Sequence, residues 1–157
     1  KAAQMKNMTD RLLEGSQRNV ETVENGRLLM EQLAGEREKT LEDSFSCEIS
    51  MENCTDFRAE WDMQEILRIF DNLSSNVEKY ADSGHPVLLQ MDRGVDTLRI
   101  LQKNAVRQTA QKIESNQIGL ESIRRITAGY GGAVTVSLDE KQFQIEITLP
   151  VAKKCKG

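Results

Sequence analysis

The amino-acid sequence predicts an α+β fold, a two-layer α/β sandwich whose mixed sheet is covered by helices on one face, with a helical stub in front. Three observations lead there. Two stretches alternate strictly between apolar and polar residues: Phe45, Cys47, Ile49 and Met51 point one way in the first, and Phe143, Ile145, Ile147 and Leu149 in the second. That period belongs to half-buried strands, so the far face of the sheet is expected to be partly solvated. Strands come in pairs joined by short turns, with amphipathic helices interspersed.

Taken in order, residues 1 to 18 carry Met5, Met8, Leu12 and Ser16 at steps of three and four, a narrow stripe that seats one helix against another. A short alternating piece holds Val20 and Val23. Asn25-Gly26 makes a turn, with Asn25 placed to cap a helix to about Asp43 whose apolar face is Leu28, Leu29, Leu33 and Leu41. A strand over Ser44–Glu52, a turn at Asn53–Asp56 and a strand over Phe57–Glu60 follow. Asp62 then caps a helix from Met63 to about Ala81, with Glu65 completing a capping box. Ile66, Phe70, Leu73 and Val77 form its stripe, and Ser83–Pro86 end it. Strands at Val87–Asp92 and Thr97–Lys103 meet through Arg93-Gly94, and residues 105–116 read as a loop. A helix from about Ile118 to Tyr130 stops at Gly131-Gly132. Two closing strands carry Val134, Val136 and Leu138, then Phe143 to Leu149. Residues 153–157 read as a disordered tail.

Composition narrows the function. A net charge of -4 argues against a nucleic-acid partner, whose phosphates demand clustered Lys and Arg. No apolar run approaches the roughly 20 residues that span a bilayer. Cys47, Cys54 and Cys155 form no CxxC pair, and His85 is the only histidine, so free thiols in a reducing compartment are expected rather than a zinc site. His85 lies in a Gly-His-Pro turn and reads as a solvated loop residue. Trp61 reads as a packing residue at a helix entrance. The chain opens at Lys1 within a helical pattern, which is expected of a fragment of a longer protein.

The informative helix reads Asn72-Leu73-Ser74-Ser75-Asn76-Val77-Glu78-Lys79-Tyr80. Asn72 and Asn76 stand one turn apart on a face offset from the apolar stripe, and Lys79 stands one turn beyond Asn76. Side-chain carbonyl oxygens suit Mg²⁺, which also takes waters and phosphates, and an ammonium can meet the same phosphates. On spacing alone, a polar outer face that carries two asparagines by chance is the favoured reading of these residues.

The stretch also resembles the asparagine box of sensor histidine kinases, roughly N-L-x-x-N-A-x-K-Y, with Val77 in place of the Ala. The resemblance implies that Asn76 coordinates Mg²⁺ with Asn72 beside it, that Lys79 contacts phosphate, and that Tyr80 lines the nucleotide pocket. Ser115-Asn116-Gln117-Ile118-Gly119-Leu120, leading into a helix that ends before Gly131-Gly132, is similar to the family's second glycine box, G-x-G-I-G-L. Gly119 and Leu120 would then border the phosphates at a helix start. Asn104 falls where the first glycine box, D-x-G-x-G, has the Asp that accepts from the adenine amine; neither of that box's glycines is present. Residues 1–18 look like the end of the family's dimerisation and phosphoacceptor hairpin, which makes 19–152 the ATP-binding domain.

The resemblance implies a Bergerat-type ATPase fold and an ATP:protein-histidine phosphotransferase with ATP and Mg²⁺ as cofactors. Asn76 and Lys79 would carry the catalysis. Its partners would be its own hairpin domain, a second copy in a homodimer and a response regulator, in the cytoplasmic part of a membrane-anchored sensor. The missing glycines predict weak nucleotide binding that rests on the asparagine-box helix. They also leave open a non-catalytic signalling module of the same kind, and the stripe of residues 1–18 leaves open a dimerisation domain.

Overall fold

The structure, a computed structural model, describes residues 18–107 and 117–153, the side chains of 117–119 excepted. The expected stub with Met5, Met8 and Leu12, together with Ser115, Asn116 and Cys155, lies outside the described residues. In chain order the elements are β1 (Val20–Val23), α1 (Gly26–Leu41), β2 (Cys47–Ser50), β3 (Phe57–Asp62), α2 (Met63–Tyr80), β4 (Val87–Arg93), β5 (Thr97–Ala105), α3 (Gln117–Gly129), β6 (Ala133–Leu138), β7 (Gln142–Pro150) and β8 (Ala152–Lys153).

Five strands form a mixed sheet in the order β2-β4-β5-β7-β6. Its β2–β4 pair is parallel and the rest antiparallel. A smaller antiparallel sheet runs β1-β3-β8. The alternation sorts the main sheet as expected. Leu89, Met91, Leu98, Ile100, Phe143, Ile145, Ile147 and Leu149 are buried in the core that includes Ile66, Ile69, Phe70 and Leu73 of α2. The other face is polar. There Arg99 bridges Asp92 at 2.7 Å and Glu146 at 3.0 Å, and Gln90 donates to Asp92. A sheet with one solvated face and one face under helices is the expected two-layer sandwich.

Several local expectations are corrected. Asn25 sits at the N-cap of α1 but makes no side-chain cap bond. Asp56 Oδ1 serves that end from across the chain, accepting from Arg27 N at 3.1 Å and Phe57 N at 2.9 Å. The buried face of α1 is Met30, Leu33, Ala34, Arg37 and Leu41, while Leu28 points to solvent with 52% of its surface exposed. Glu65 closes no capping box, because Tyr130 and Arg18 take its carboxylate; Asp62 alone caps α2, accepting from Gln64 N at 2.9 Å. β5 continues to Ala105, two residues past the expected end. Leu138 is exposed, at the end of edge strand β6. Lys153, expected in a tail, pairs with Phe57 in β8.

Candidate nucleotide site

Helix α2 supplies most of the site residues. Asp62 caps its start, and Ala81 leaves helical geometry at its end. At about 100° per residue, Asn72 and Asn76 fall on the same flank as Glu65, while Phe70, Ser74 and Val77 turn toward α1. Contacts fix those directions: Arg37 of α1 bonds to Phe70 O and Ser74 Oγ, and Tyr130 Oη donates to Glu65 at 2.7 Å.

Tyr130 follows directly on α3, so the flank of Glu65, Asn72 and Asn76 is the one facing α3. The two helices run antiparallel. Residues 131–132 return the chain from α3 into β6 with Gly131 at a φ of 82°, a left-handed conformation open to glycine. A Cβ on Gly132 would sit 2.1 Å from Thr148 O, so the turn packs directly on β7. α3 therefore runs opposite to β6. β6 and β5 both run antiparallel to β7 and so share a direction, which is also that of α2. From Tyr130 back to Gly119, at 1.5 Å per residue, is about 16 Å, and the same span along α2 from Glu65 reaches Asn76. Gly119, in the first turn of α3, thus stands level with Asn76, and its helix N-terminus offers backbone N–H groups there.

β5 forms the floor. Gln102 Nε2 donates to Leu73 O at 3.2 Å, and further along Asp82 N donates to Ala105 O at 2.9 Å and Arg107 N to Tyr80 O at 2.8 Å. Asn104 lies between these ties, on the inward row of Leu98, Ile100 and Gln102, and so beside the α2 turn that carries Asn76. Both asparagines are buried, Asn76 at 5% exposure and Asn104 at 4%. Asn76 Nδ2 and Asn104 Oδ1 have no hydrogen-bond partner among the described residues. Asn104 Nδ2 donates to Ala105 O at 3.0 Å, which fixes the amide so that its oxygen is the free end. A buried polar atom left unmet costs about 1–3 kcal/mol, so each of the two is a candidate contact for a polar ligand. A third orphan, Thr127 Oγ1, lies beside Gly132, away from this level.

The other expected site residues differ in burial. Asn72 is half-buried on the same flank, and Lys79 is exposed at its rim. Tyr80 is half-buried at the helix end. Leu120 is half-buried and packs against the main core. His85 is exposed in its turn, with Nδ1 3.6 Å from Asp82 Oδ2. It lines a groove of about 830 Å³ on the open side of the sheet, together with Leu88, Lys103 and Ala105. Asn104 also borders this groove, whose Leu88, Lys103 and Ala105 belong to the outward rows of β4 and β5, the face away from the helices.

Two polar groups beside the site depart from the sequence reading: the charged run Glu36–Lys39 reads as a solvated helical face with local ion pairing, but Arg37 within it is not solvated. Arg37 is buried, and burial pushes its pKa down to about 10, so it stays charged at neutral pH. Its guanidinium donates to Gln102 Oε1 at 2.7 Å and stacks over Phe70 at 5.6 Å. Arg37 does leave a signal, since it occupies an apolar-stripe position at i+3 from Ala34 and i-4 from Leu41. At the foot of the cleft, Tyr130 Oη accepts from Asp62 N at 2.9 Å as it donates to Glu65.

No family model matches the sequence, and no curated protein matches it. The backbone has many solved counterparts. A mycobacterial sensor histidine kinase, MprB, superposes with a TM-score of 0.66 over 86% of this chain and 99% of its own, at 14% identity. A histidine kinase from Burkholderia phymatum gives 0.70 over 96% of this chain and 79% of its own, at 13% identity. Full-length ShkA, solved in complex with AMPPNP, gives 0.68 over 88% of this chain and 32% of its own, at 16% identity. The chain therefore has the fold of histidine kinase catalytic domains, as the asparagine-box resemblance implied.

Proposed function

We propose that the chain binds Mg²⁺-ATP in the cleft between α2, α3 and β5, and that it is the ATP-binding catalytic domain of a two-component sensor histidine kinase. The observation that carries this reading is the pair of orphaned amide atoms on Asn76 and Asn104. Asn104 Oδ1 is a fixed, buried acceptor suited to an exocyclic amine such as that of adenine. Rotation of the Asn76 amide about χ2 presents its carbonyl oxygen in place of Nδ2, and a carbonyl oxygen is a fit ligand for Mg²⁺. The Mg²⁺, once bound, would neutralise phosphate charge. Asn72 would support Asn76, Lys79 would meet phosphate oxygens from the rim, and Tyr80 would border the base. The N-terminus of α3 at Gly119 and Leu120 would face the phosphate chain. Phosphoryl transfer of this kind rests on positioning and charge neutralisation, and these are the parts this chain supplies.

The acceptor would be a histidine outside these 157 residues, on a dimerisation hairpin that residues 1–18 would end. Such a parent would be a membrane-anchored homodimer with this domain on the cytoplasmic side, and a response regulator would receive the phosphate. Ser115 and Gln117, standing where the family has glycines, support a second reading, a module that binds nucleotide without transferring phosphate. Calorimetry with Mg²⁺-ATP tests the site. Wild type is expected to bind weakly and Asn76→Ala not detectably; unchanged binding by Asn76→Ala would refute the assignment.

A further inference from the structure

We propose that Arg37 is a positioning residue for the nucleotide site, setting the separation of Asn76 and Asn104 by binding α2 and β5 at once. The proposal builds on the nucleotide-binding reading above. Arg37 lies on α1, off the cleft, and has 6% of its surface exposed. Among the described residues no carboxylate stands within ion-pair distance of it. Its partners are Phe70 O and Ser74 Oγ on α2 and Gln102 Oε1 on β5. Gln102 passes the connection on, donating to Leu73 O at 3.2 Å.

The positions of these acceptors carry the argument. Ser74 and Leu73 lie within one turn of Asn76, and Gln102 is the residue before Asn104 on the same face of β5. The hub therefore ties the α2 turn that holds one orphaned amide to the strand position next to the other. Apolar packing between a helix and a sheet fixes their distance only loosely, because side chains slide at small cost. A planar guanidinium with acceptors on both elements fixes distance and direction together. A buried charge whose hydrogen-bond acceptors are all neutral, with only the longer-range attraction of Asp71 to offset its burial, is a poor route to stability, and an apolar replacement of similar volume commonly holds a fold as well. A site whose two contacts come from different elements needs their spacing held within a fraction of an ångström. That requirement accounts for a charged hub at this position.

The experiment uses the whole chain, with Arg37→Met/Gln102→Leu as the apolar replacement and Arg37→Lys as the conservative one. Lysine keeps the charge on a single nitrogen that cannot span both elements in the same geometry. The double variant is expected to melt close to wild type and to bind Mg²⁺-ATP about tenfold more weakly or worse. In ligand-free Arg37→Lys, the side-chain amide NMR signals of Asn76 and Asn104 are expected to shift, with affinity lowered a few-fold. A double variant that melts and binds like wild type would overturn the proposal, as would Arg37→Lys with unmoved amide signals. If wild type binds no Mg²⁺-ATP, the nucleotide reading fails, while shifted amide signals in Arg37→Lys still support the positioning role.

Discussion

Replacing Asn104 by aspartate alters charge while leaving shape almost untouched, and the structure assigns opposite signs to its effects on stability and on binding. Asn104 is 4% exposed, and its Nδ2 donates to Ala105 O at 3.0 Å. In Asn104→Asp an oxygen replaces that nitrogen and meets the Ala105 carbonyl with no proton between them. The lost bond is worth about 1 kcal/mol, and a buried, uncompensated carboxylate adds further cost, so the ligand-free protein should lose about 3 kcal/mol. For a domain of this size that is about 10 °C in melting temperature. The other oxygen, at the position of Oδ1, becomes a charged acceptor. A charge-assisted bond to an amine is worth about 1 kcal/mol more than a neutral one, which tightens ATP binding by a few-fold to about tenfold. Burial raises the pKa of such a carboxyl, so the destabilisation is present above that pKa and fades as pH falls below it. Calorimetry and thermal melts on the two proteins measure both quantities. A variant as stable as wild type, or one that binds ATP no more tightly, would refute the view that Asn104 Oδ1 is a buried acceptor aimed at the base.

Incubation with γ-labelled ATP should leave the chain unlabelled, because its single histidine, His85, lies in an exposed turn and lines a groove on the open side of the sheet; acid-labile label on His85 would contradict this. Tyr130→Phe orphans the Asp62 N–H and should cost about 1–2 kcal/mol in a denaturant titration. Burial, the largest influence on the Tyr130 hydroxyl, raises its pKa above the ordinary 10.0. The stability linked to that hydroxyl is therefore complete below pH 10.0 and is lost as pH rises through the folded value, a slope that the Phe variant should lack. Sedimentation should detect weak, concentration-dependent dimers through the stripe of Met5, Met8 and Leu12, and deletion of residues 1–18 should abolish them.

Most of the fold was legible because its signals are periodic and local. The inward rows of β4, β5 and β7 and the stripe of α2 follow from alternation and from steps of three and four, and the buried residues agree. The errors fall where a distant residue decides. Asp56, and not the adjacent Asn25, serves the start of α1, since β3 brings it there. Glu65 follows the capping-box pattern but is claimed by Tyr130, sixty-five positions along the chain. Leu138 keeps the alternation of its strand and is exposed, because β6 ends the sheet and none of the described residues covers that end.

The site divides in the same way. Asn72, Asn76 and Lys79 could be read from one helix because the spacing that groups them is local. Asn104 could be placed only by its likeness to a motif that it breaks. Its burial, and the bond that aims its oxygen, required the sheet. An aspartate at that position would need a second partner or water for its other oxygen; the amide meets that need internally by donating to Ala105 O. Exchanging Asp for Asn would thus weaken the proposed contact to a base while removing a buried charge from the ligand-free cleft. The hub next to it leaves only a partial signal in the sequence. Arg37 and Gln102 look like defects in apolar rows when α1 and β5 are read singly. They become partners only once α1, α2 and β5 are packed together, and the groups they join are the neighbours of the two asparagines.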